Sequence, residues 1–117
     1  MVQCNNADEN EVKQYIHNTY NKFHSIDILI NNAAIFQFGA IEDITDEQWT
    51  NVLNINIKGY AYHAKYCVPY MKAQHSGSII HMCSISSILS QPKFIPYNTT
   101  KAAVLQMSKN LAHDLGK

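Results

Sequence analysis

The sequence contains no arginine, and its nine lysines are balanced by nine acidic residues, so its formal net charge is zero. Surfaces that bind nucleic acids or anionic membranes are basic, and arginine commonly contacts phosphates in the first case. No apolar run is long enough to span a bilayer, and the opening MVQCNNADENE has no apolar signal-peptide core. We therefore predict that the chain binds neither nucleic acid nor membrane.

Cysteine and glycine are also scarce. The three cysteines are odd in number and widely spaced, which favours reduced thiols in a cytoplasmic protein over a disulfide framework. The four glycines are scattered, so the sequence has no glycine-rich phosphate-binding turn. His81 and Cys83 share a strand face, but no Cys-x-x-Cys or helical His pair accompanies them. We expect no metal site.

Helical and strand patterns alternate along the chain. Helices are predicted at about 9–23, 46–74 and 97–115, and short apolar strands at 26–31 and 78–83. The first of these strands is apolar and β-branched, which predicts burial on both faces. The alternation predicts one α/β domain over residues 1–117, with a parallel sheet and crossover helices.

The helix at 46–74 is apolar on two sides. A capping-box pattern at Thr45 predicts its start, and a similar pattern at Asp8 predicts the start of the preceding helix. Pro69 is expected to interrupt and bend the helix at 46–74, and Ser76-Gly77 is expected to end it. The first apolar stripe, in which Asn56 lies, contains Trp49, Val52, Leu53, Tyr60, Ala64, Cys67 and Met71. A second apolar row contains Tyr62, Tyr66 and Tyr70. A helix with two apolar sides is buried twice. We therefore predict a homo-oligomer that assembles through residues 46–74.

The last helix carries a tyrosine–lysine pair. Its predicted core row is Ala103, Met107, Leu111 and Leu115, which leaves the pair off the core.

Tyr97 and Lys101 lie one helical turn apart, separated by a spacer, Asn98-Thr99-Thr100. An ammonium about 4 Å from a phenol contributes about 4 kcal/mol at an effective dielectric near 20, or roughly three pKa units. Such a tyrosine could act as an acid–base group near neutral pH. The alternative is an ordinary surface pair, which a single Tyr-x-x-x-Lys usually is.

Two further polar residues each have two interpretations. Asn56 lies in an apolar stripe and must find partners, either as a core asparagine bonded to nearby backbone or as an amide that holds a water or a lysine. Ser84 follows the second strand, where parallel sheets place ligands, although such a serine is usually a turn or cap residue. Ser84 is not in a Gly-x-Ser-x-Gly sequence and has no base beside it, which disfavours a serine hydrolase.

The combined pattern resembles the short-chain dehydrogenase/reductase family over nearly the whole chain. Its parts are Asn-Asn-Ala-Ala at 31–34 after a strand, Asn56 in NINIKG, Ser84 thirteen residues before Tyr97, and Tyr97-x-x-x-Lys101. The resemblance implies a Rossmann-type fold, in which helices cover both faces of a doubly wound parallel sheet. It also implies NAD or NADP as cofactor and a small alcohol or carbonyl compound as substrate.

The same resemblance implies roles for four side chains. Tyr97 would be the general acid–base that exchanges a proton with the substrate oxygen, and Ser84 would hydrogen-bond that oxygen. Lys101 would bind the nicotinamide ribose and lower the pKa of Tyr97. Asn56 would support a proton relay through water.

Other residues are expected at the cofactor. By the resemblance, Asn32, Ala33 and Ala34 would line its adenosine side, and Asn5 stands where the family commonly has an aspartate that contacts adenine. The opening residues resemble the segment after the third strand of the family, which suggests a strand at residues 1–4.

The first two strands of the family and its glycine-rich turn are not among these 117 residues. We therefore expect the catalytic middle of a longer enzyme. The alternative is a catalytically inactive, truncated relative that binds full-length partners through the helix at 46–74.

Overall fold

The computed structural model describes residues 2–116, in which helices and strands alternate. The elements are α1 (Glu9–Phe23), β1 (Ile28–Asn31), α2 (Asp46–Leu53), α3 (Gly59–Gln74), β2 (Ser78–His81) and α4 (Ile95–Leu115). A π-helical segment, Asn54–Lys58, joins α2 to α3, and 3-10 turns cover Ile41–Asp43 and Ile85–Ser87. β1 and β2 pair in parallel, with Ile28 opposite Ser78 and Asn31 opposite His81. The predicted α/β class with parallel strands is confirmed.

The cap of α1 differs from the predicted capping box in one bond. Asp8 Oδ1 accepts hydrogen bonds from the backbone N–H groups of Asn10 and Glu11, at 2.8 and 3.0 Å. The Glu11 carboxylate accepts from the backbone N–H of Asn5 at 2.8 Å, not from that of Asp8. The helix nevertheless has the predicted bounds.

The predicted helix at 46–74 is divided at a different place from the one expected. Its capping box forms between Thr45 and Gln48. Pro69 lies inside α3 without ending it, and the interruption is the π-helical segment, where the N–H of Gly59 donates to the carbonyl of Asn54. The helix stops where His75 adopts a left-handed conformation, with φ of 53°, so His75 takes the place predicted for Ser76-Gly77.

The core lies between one face of the sheet and the helices α1 and α3. Leu29 of β1 contributes to it from the sheet. The other buried members are Val12, Ile16, Ile26, Ala64, Cys67 and Met71. The last three belong to the apolar stripe predicted for the long helix. Burial raises the pKa of the Cys67 thiol to about 11, which keeps it protonated and unreactive near neutral pH.

The tyrosine row of α3 packs against α1 of the same chain. The Tyr66 hydroxyl donates to Glu9 Oε1 at 2.8 Å, and the Tyr70 ring stacks on Tyr20 with centroids 4.2 Å apart. Lys65 forms an ion pair with the same carboxylate at 2.7 Å. Because α1 covers this row, the row gives no indication of a second copy. Assembly through residues 46–74 stays a prediction.

The other face of the sheet is open among residues 2–116. Ile28, Ile30 and Ile80 are 63%, 60% and 46% exposed. The prediction that residues 26–31 are buried on both faces is therefore wrong for the described part of the chain, because its helices pack on the opposite face. The described part therefore supplies two of the three expected layers, the sheet and the helices on one of its faces. Residues 2–4 form no strand, and Met1 lies outside the described residues.

The buried side of α4 is not the predicted apolar row. The buried residues are Pro96, Tyr97, Thr100, Lys101 and Val104, whereas Ala103, Met107, Leu111 and Leu115 are only half-buried. The first half of α4 packs against the 3-10 turn at Ile85–Ser87 and the π-helical segment. These contacts, rather than the apolar spacing, determine which side of α4 is covered.

Asn56 connects three parts of the fold. Its side chain is fully buried; Oδ1 accepts from Ile35 N at 2.8 Å, and Nδ2 donates to Ile35 O at 2.9 Å and to Thr100 Oγ1 at 3.1 Å. The Thr100 hydroxyl donates to the carbonyl of Tyr97 at 2.8 Å. The amide thus joins the loop after β1 and the start of α4 to the π-helical segment, as the core interpretation of Asn56 predicts.

His81 links β2 to α4. Its Nδ1 lies 3.2 Å from the Ser108 hydroxyl, and its ring packs on that of Tyr60 with centroids 5.4 Å apart. Its Nε2 is buried and has no hydrogen-bond partner among residues 2–116. Burial lowers the pKa of His81, because a charged imidazole would lose its hydration there.

None of the helices in residues 2–116 combines the length and apolar character that a bilayer-spanning helix requires.

We predict that Asn56→Ala lowers the free energy of unfolding by about 3 kcal/mol, because it leaves the N–H and C=O of Ile35 without partners and removes the bond to the Thr100 hydroxyl, which keeps only its bond to the Tyr97 carbonyl. Urea denaturation measures the change. The matched control is Asn51→Ala, at an exposed position of α2, which should change stability by less than about 0.5 kcal/mol. A loss no larger than that of the control would show that the amide is not the connection described here.

A second prediction concerns acid stability. The unfolded chain has an ordinary histidine pKa of about 6.5, and the folded His81 has a lower one. As the pH falls below about 6.5 the unfolded state binds the proton first, so the free energy of unfolding decreases. His81→Gln removes this contribution, and urea denaturation between pH 7.5 and 5.5 should show a flatter dependence than in the parent protein. Equal slopes in the parent and His81→Gln would contradict the prediction.

Candidate active site

Tyr97 lies in the first turn of α4, where aromatic rings surround it. It is only 6% exposed, its ring stacks on Phe36 with centroids 4.3 Å apart, and the Phe94 ring meets it edge-on at 6.5 Å. The hydrogen bonds among residues 2–116 do not involve its hydroxyl. The ring is therefore held by packing, and the hydroxyl is available to a ligand.

Lys101 follows one turn later on the same side of α4. Its side chain is buried, and its ammonium donates to the carbonyl of Met82 at 2.6 Å and to the Tyr60 hydroxyl at 3.5 Å. The ammonium lies 5.8 Å from the centroid of the Tyr97 ring. Loss of hydration on burial lowers the pKa of Lys101. The structure therefore excludes an exposed surface pair, and it also corrects the prediction that Tyr97 and Lys101 lie outside the buried side of α4.

Ser84 caps the turn that leads from β2 toward α4. Its Oγ accepts from the N–H of Ser86 at 3.1 Å, as the cap interpretation predicts. The Ser87 hydroxyl donates to the carbonyl of Lys101 at 2.9 Å, which fixes this turn against α4. A hydroxyl that accepts one bond still has its own proton to donate. Ser84 can therefore serve as a cap and hydrogen-bond a ligand at the same time.

Thr100 is more than the spacer predicted between Tyr97 and Lys101. It is fully buried, accepts from Asn56 and donates to the Tyr97 carbonyl. Both amide hydrogens of Asn56 are engaged, one by Ile35 and one by Thr100, so its side chain has none left to donate to a water. A part for Asn56 in a proton relay stays a prediction.

The residues predicted at the cofactor follow the carboxyl end of β1. Asn32 and Ala33 are exposed and Ala34 is half-buried. Asn5 is exposed in the turn before α1, where its Oδ1 accepts from the N–H of Ala7 at 3.0 Å. The hydrogen bonds of Asn5 stay within residues 5–11, and its predicted contact with adenine remains a prediction.

Asn31 supports the site in a way that the Asn-Asn-Ala-Ala pattern at 31–34 did not predict. Asn31 is buried; its Nδ2 donates to the Tyr60 carbonyl at 3.2 Å, and its own carbonyl accepts from the N–H of Met82 at 2.9 Å. These bonds hold the end of β1 against α3 and against Met82, whose carbonyl accepts the hydrogen bond from Lys101. The sequence indicates this residue only by its position, since Asn31 is the first polar residue after the apolar run at 28–30.

Other features of residues 2–116 lie apart from this site. A cavity lies between the C-terminal ends of α3 and α4, lined in part by Met71, Gly77 and Leu111, and none of the predicted site residues lines it. The described side chains contain no group of three His, Cys, Asp or Glu residues placed to hold a metal ion.

Comparisons with known sequences identify relatives over most of the chain. The family described as "short chain dehydrogenase" matches residues 1–117. The human "Dehydrogenase/reductase SDR family member 4" is 43% identical over 96 residues, which cover 80% of this chain and 34% of the relative. The "3-oxoacyl-[acyl-carrier-protein] reductase FabG" of Staphylococcus aureus is 33% identical over 114 residues, 97% of this chain and 46% of the relative. The chain thus spans less than half the length of these relatives.

Solved structures also have the same fold over most of this chain. A gluconate 5-dehydrogenase from Burkholderia cenocepacia, solved with NADP and tartrate, has a TM-score of 0.92 and 30% identity over 95% of this chain and 44% of its own. A short-chain dehydrogenase/reductase from Burkholderia phymatum, solved with NAD, has a TM-score of 0.94 and 26% identity over 97% of this chain and 41% of its own. The family match, the sequence relatives and the fold agree. The chain belongs to the short-chain dehydrogenase/reductase family.

Proposed function

We propose that residues 1–117 form the catalytic part, and one portion of the cofactor-binding part, of an NAD- or NADP-dependent oxidoreductase that interconverts an alcohol and a carbonyl compound. The main support is the arrangement on α4, where a buried tyrosine and a buried lysine lie one turn apart with the ammonium 5.8 Å from the tyrosine ring. An ordinary helix pair would be exposed. Placing an ammonium in a desolvated site is costly, and such sites are often functional.

The residues fit the nicotinamide and ribose part of the cofactor. Lys101 has three donor hydrogens; one makes the short bond to Met82, and the contact with Tyr60 is long at 3.5 Å. It can therefore donate to a ribose hydroxyl as well. Small, exposed residues follow β1 at Asn32 and Ala33, so the backbone there can approach a planar ligand closely. The nicotinamide, when bound, supplies or accepts the hydride at the substrate carbon.

Tyr97 would transfer the proton. In carbonyl reduction its hydroxyl gives a proton to the substrate oxygen while the carbonyl carbon receives a hydride, and in alcohol oxidation both move in the opposite direction. The stacked Phe36 ring and the Thr100 bond to its carbonyl hold the tyrosine in place. The ammonium of Lys101 lies beside the Tyr97 ring, 5.8 Å from its centroid.

Ser84 would orient the substrate. Its turn is fixed to α4 by the bond from Ser87 to the carbonyl of Lys101, and its hydroxyl proton can be donated to the same substrate oxygen. Two donors at one oxygen place the carbonyl and stabilise the negative charge that develops on it. Asn56 acts as a positioning residue, because it binds the loop and the helix that carry these groups.

We predict that Tyr97→Phe lowers kcat/KM for carbonyl reduction by a factor of about 1,000, since general acid–base catalysis contributes typically 100- to 10,000-fold. The protein should be expressed from its complete reading frame. Affinity for NADH and NADPH, measured by fluorescence titration, should stay within about two-fold, because the phenyl ring keeps its packing.

The matched control is Tyr15→Phe. Tyr15 is an exposed tyrosine of α1, and its replacement should leave both quantities unchanged. Turnover of Tyr97→Phe above about a tenth of the parent value would contradict the acid–base assignment. Absence of dinucleotide binding by the parent protein would contradict the proposed function as a whole.

A further inference from the structure

Three phenylalanine rings pack around the ring of Tyr97 in the candidate site, directly or through one another. We call the rings of Phe36, Phe38 and Phe94 the aromatic wall. Phe36 stacks on Tyr97 at 4.3 Å and on Phe38 at 5.8 Å, and Phe94 meets Phe38 edge-on at 4.5 Å and Tyr97 at 6.5 Å. The wall and Tyr97 therefore form a closed circuit of ring contacts rather than separate exposed residues.

The backbone holds the wall in place from two separate loops. Asn56 binds both backbone groups of Ile35, the residue before Phe36. Further along, the N–H of Gly39 donates to the carbonyl of Lys93 at 2.9 Å, which fixes the loop of Phe36 and Phe38 beside Phe94. Gly39 has a φ of 156°, a backbone conformation that residues with a side chain rarely adopt, so glycine is favoured at this point of the loop. The positions of the wall residues are therefore fixed by backbone hydrogen bonds as well as by ring contacts.

Exposure distinguishes the wall from the tyrosine that it supports. Phe36 and Phe38 are 60% and 48% exposed, whereas Tyr97 is 6% exposed. Exposed aromatic side chains beside a reactive group are typical of a ligand-binding site. Because Phe36 covers one face of the Tyr97 ring, a carbonyl held by the tyrosine hydroxyl brings its own substituent to the edge of the stacked pair.

The two loops offer little to a charged or polyhydroxylated ligand. Residues 33–41 carry no charge, and residues 82–97 carry only Lys93. Two of their polar side chains are bonded within the chain: Gln37 Nε2 donates to the carbonyl of Phe38, and Ser86 Oγ donates to Gln91. Against the exposed rings of Phe36 and Phe38, sugar hydroxyls or a carboxylate would lose water without gaining hydrogen bonds.

We propose that the aromatic wall makes neutral aryl ketones, and the corresponding benzylic alcohols, the preferred substrates of this site. The proposal rests on the oxidoreductase function proposed above. In the reductive direction the ketone carbon gains a hydride from NADH or NADPH, which is oxidised, and the ketone oxygen gains a proton from Tyr97. The aryl ring packs on Phe36, where aromatic pairs gain more than their buried area alone provides.

The test compares acetophenone with dihydroxyacetone, a ketone that carries hydroxyl groups in place of the ring. The protein is expressed from its complete reading frame and assayed with both reduced cofactors. We expect kcat/KM at least about ten-fold higher for acetophenone. Because the Phe36 ring also stacks on Tyr97, Phe36→Ala is expected to lower both values, and the acetophenone value by about ten-fold more than the dihydroxyacetone value. Phe23→Ala, which truncates a 65% exposed phenylalanine at the end of α1, should change neither.

A purely structural role for Phe36 would give a different result. If Phe36 only positions Tyr97, or if another part of the protein or a partner covers the wall, Phe36→Ala would lower both values equally or change only stability. Either result overturns the proposal, as does a preference of the parent protein for dihydroxyacetone.

Binding separates this proposal from the proposed function. Acetophenone binding to the parent and to Phe36→Ala can be followed by ligand-observed NMR without turnover. If no ketone is reduced but acetophenone binds the parent about ten-fold more tightly than Phe36→Ala, the wall is supported and the oxidoreductase function fails. If ketones are reduced and Phe36→Ala binds acetophenone as tightly as the parent, the wall fails and the function stands.

Discussion

The side-chain amide of Asn56 is the constraint on which the candidate site depends. It lies in a π-helical segment, where an extra residue per turn lets a helix side chain reach groups that regular α-helical spacing would not present. Through Ile35 it fixes the loop that carries Phe36, and through Thr100 it fixes the turn of α4 that carries Tyr97. Three elements distant in sequence therefore meet at one fully buried amide, and leaving any partner unpaired would cost about 1–3 kcal/mol.

Burial of Lys101 explains why this amount of support is needed. An ammonium taken out of water favours deprotonation, and the pKa of Lys101 is lowered accordingly. Its short bond to the carbonyl of Met82 offsets part of that cost. Met82 is in turn held to β1, because its N–H donates to the carbonyl of Asn31. The parallel pairing of β1 and β2 thus places the acceptor that holds the lysine, and the sheet takes part in the site although it contributes neither Tyr97 nor Lys101.

Local patterns in the sequence predicted where the elements begin and end, whereas the buried sides of β1 and α4, which depend on contacts between elements, were predicted wrongly. Capping residues and apolar runs predicted the bounds of α1 and both strands closely, because these are local effects. The buried side of α4 was predicted wrongly, since a polar row of Tyr97, Thr100 and Lys101 can be buried only when another element supplies its hydrogen bonds. The order of Asn56, Ser84, Tyr97 and Lys101 indicated the family. The aromatic stack on Tyr97 had no periodic signal, because its rings come from two separate loops.

Two apolar surfaces are exposed, and they differ in how they are built. The isoleucines at 28, 30 and 80 form a regular strand face whose side chains alternate with buried ones, as in a sheet that is covered on a single side. The aromatic wall lies on irregular loops, and its shape is maintained by a glycine with a φ of 156°, a backbone bond between loops and the Asn56 amide. Ordinary packing against another layer does not require such specific support. A surface that must present rings at fixed positions beside a reactive hydroxyl does require it, and this difference favours the wall over the sheet face as the ligand-binding surface.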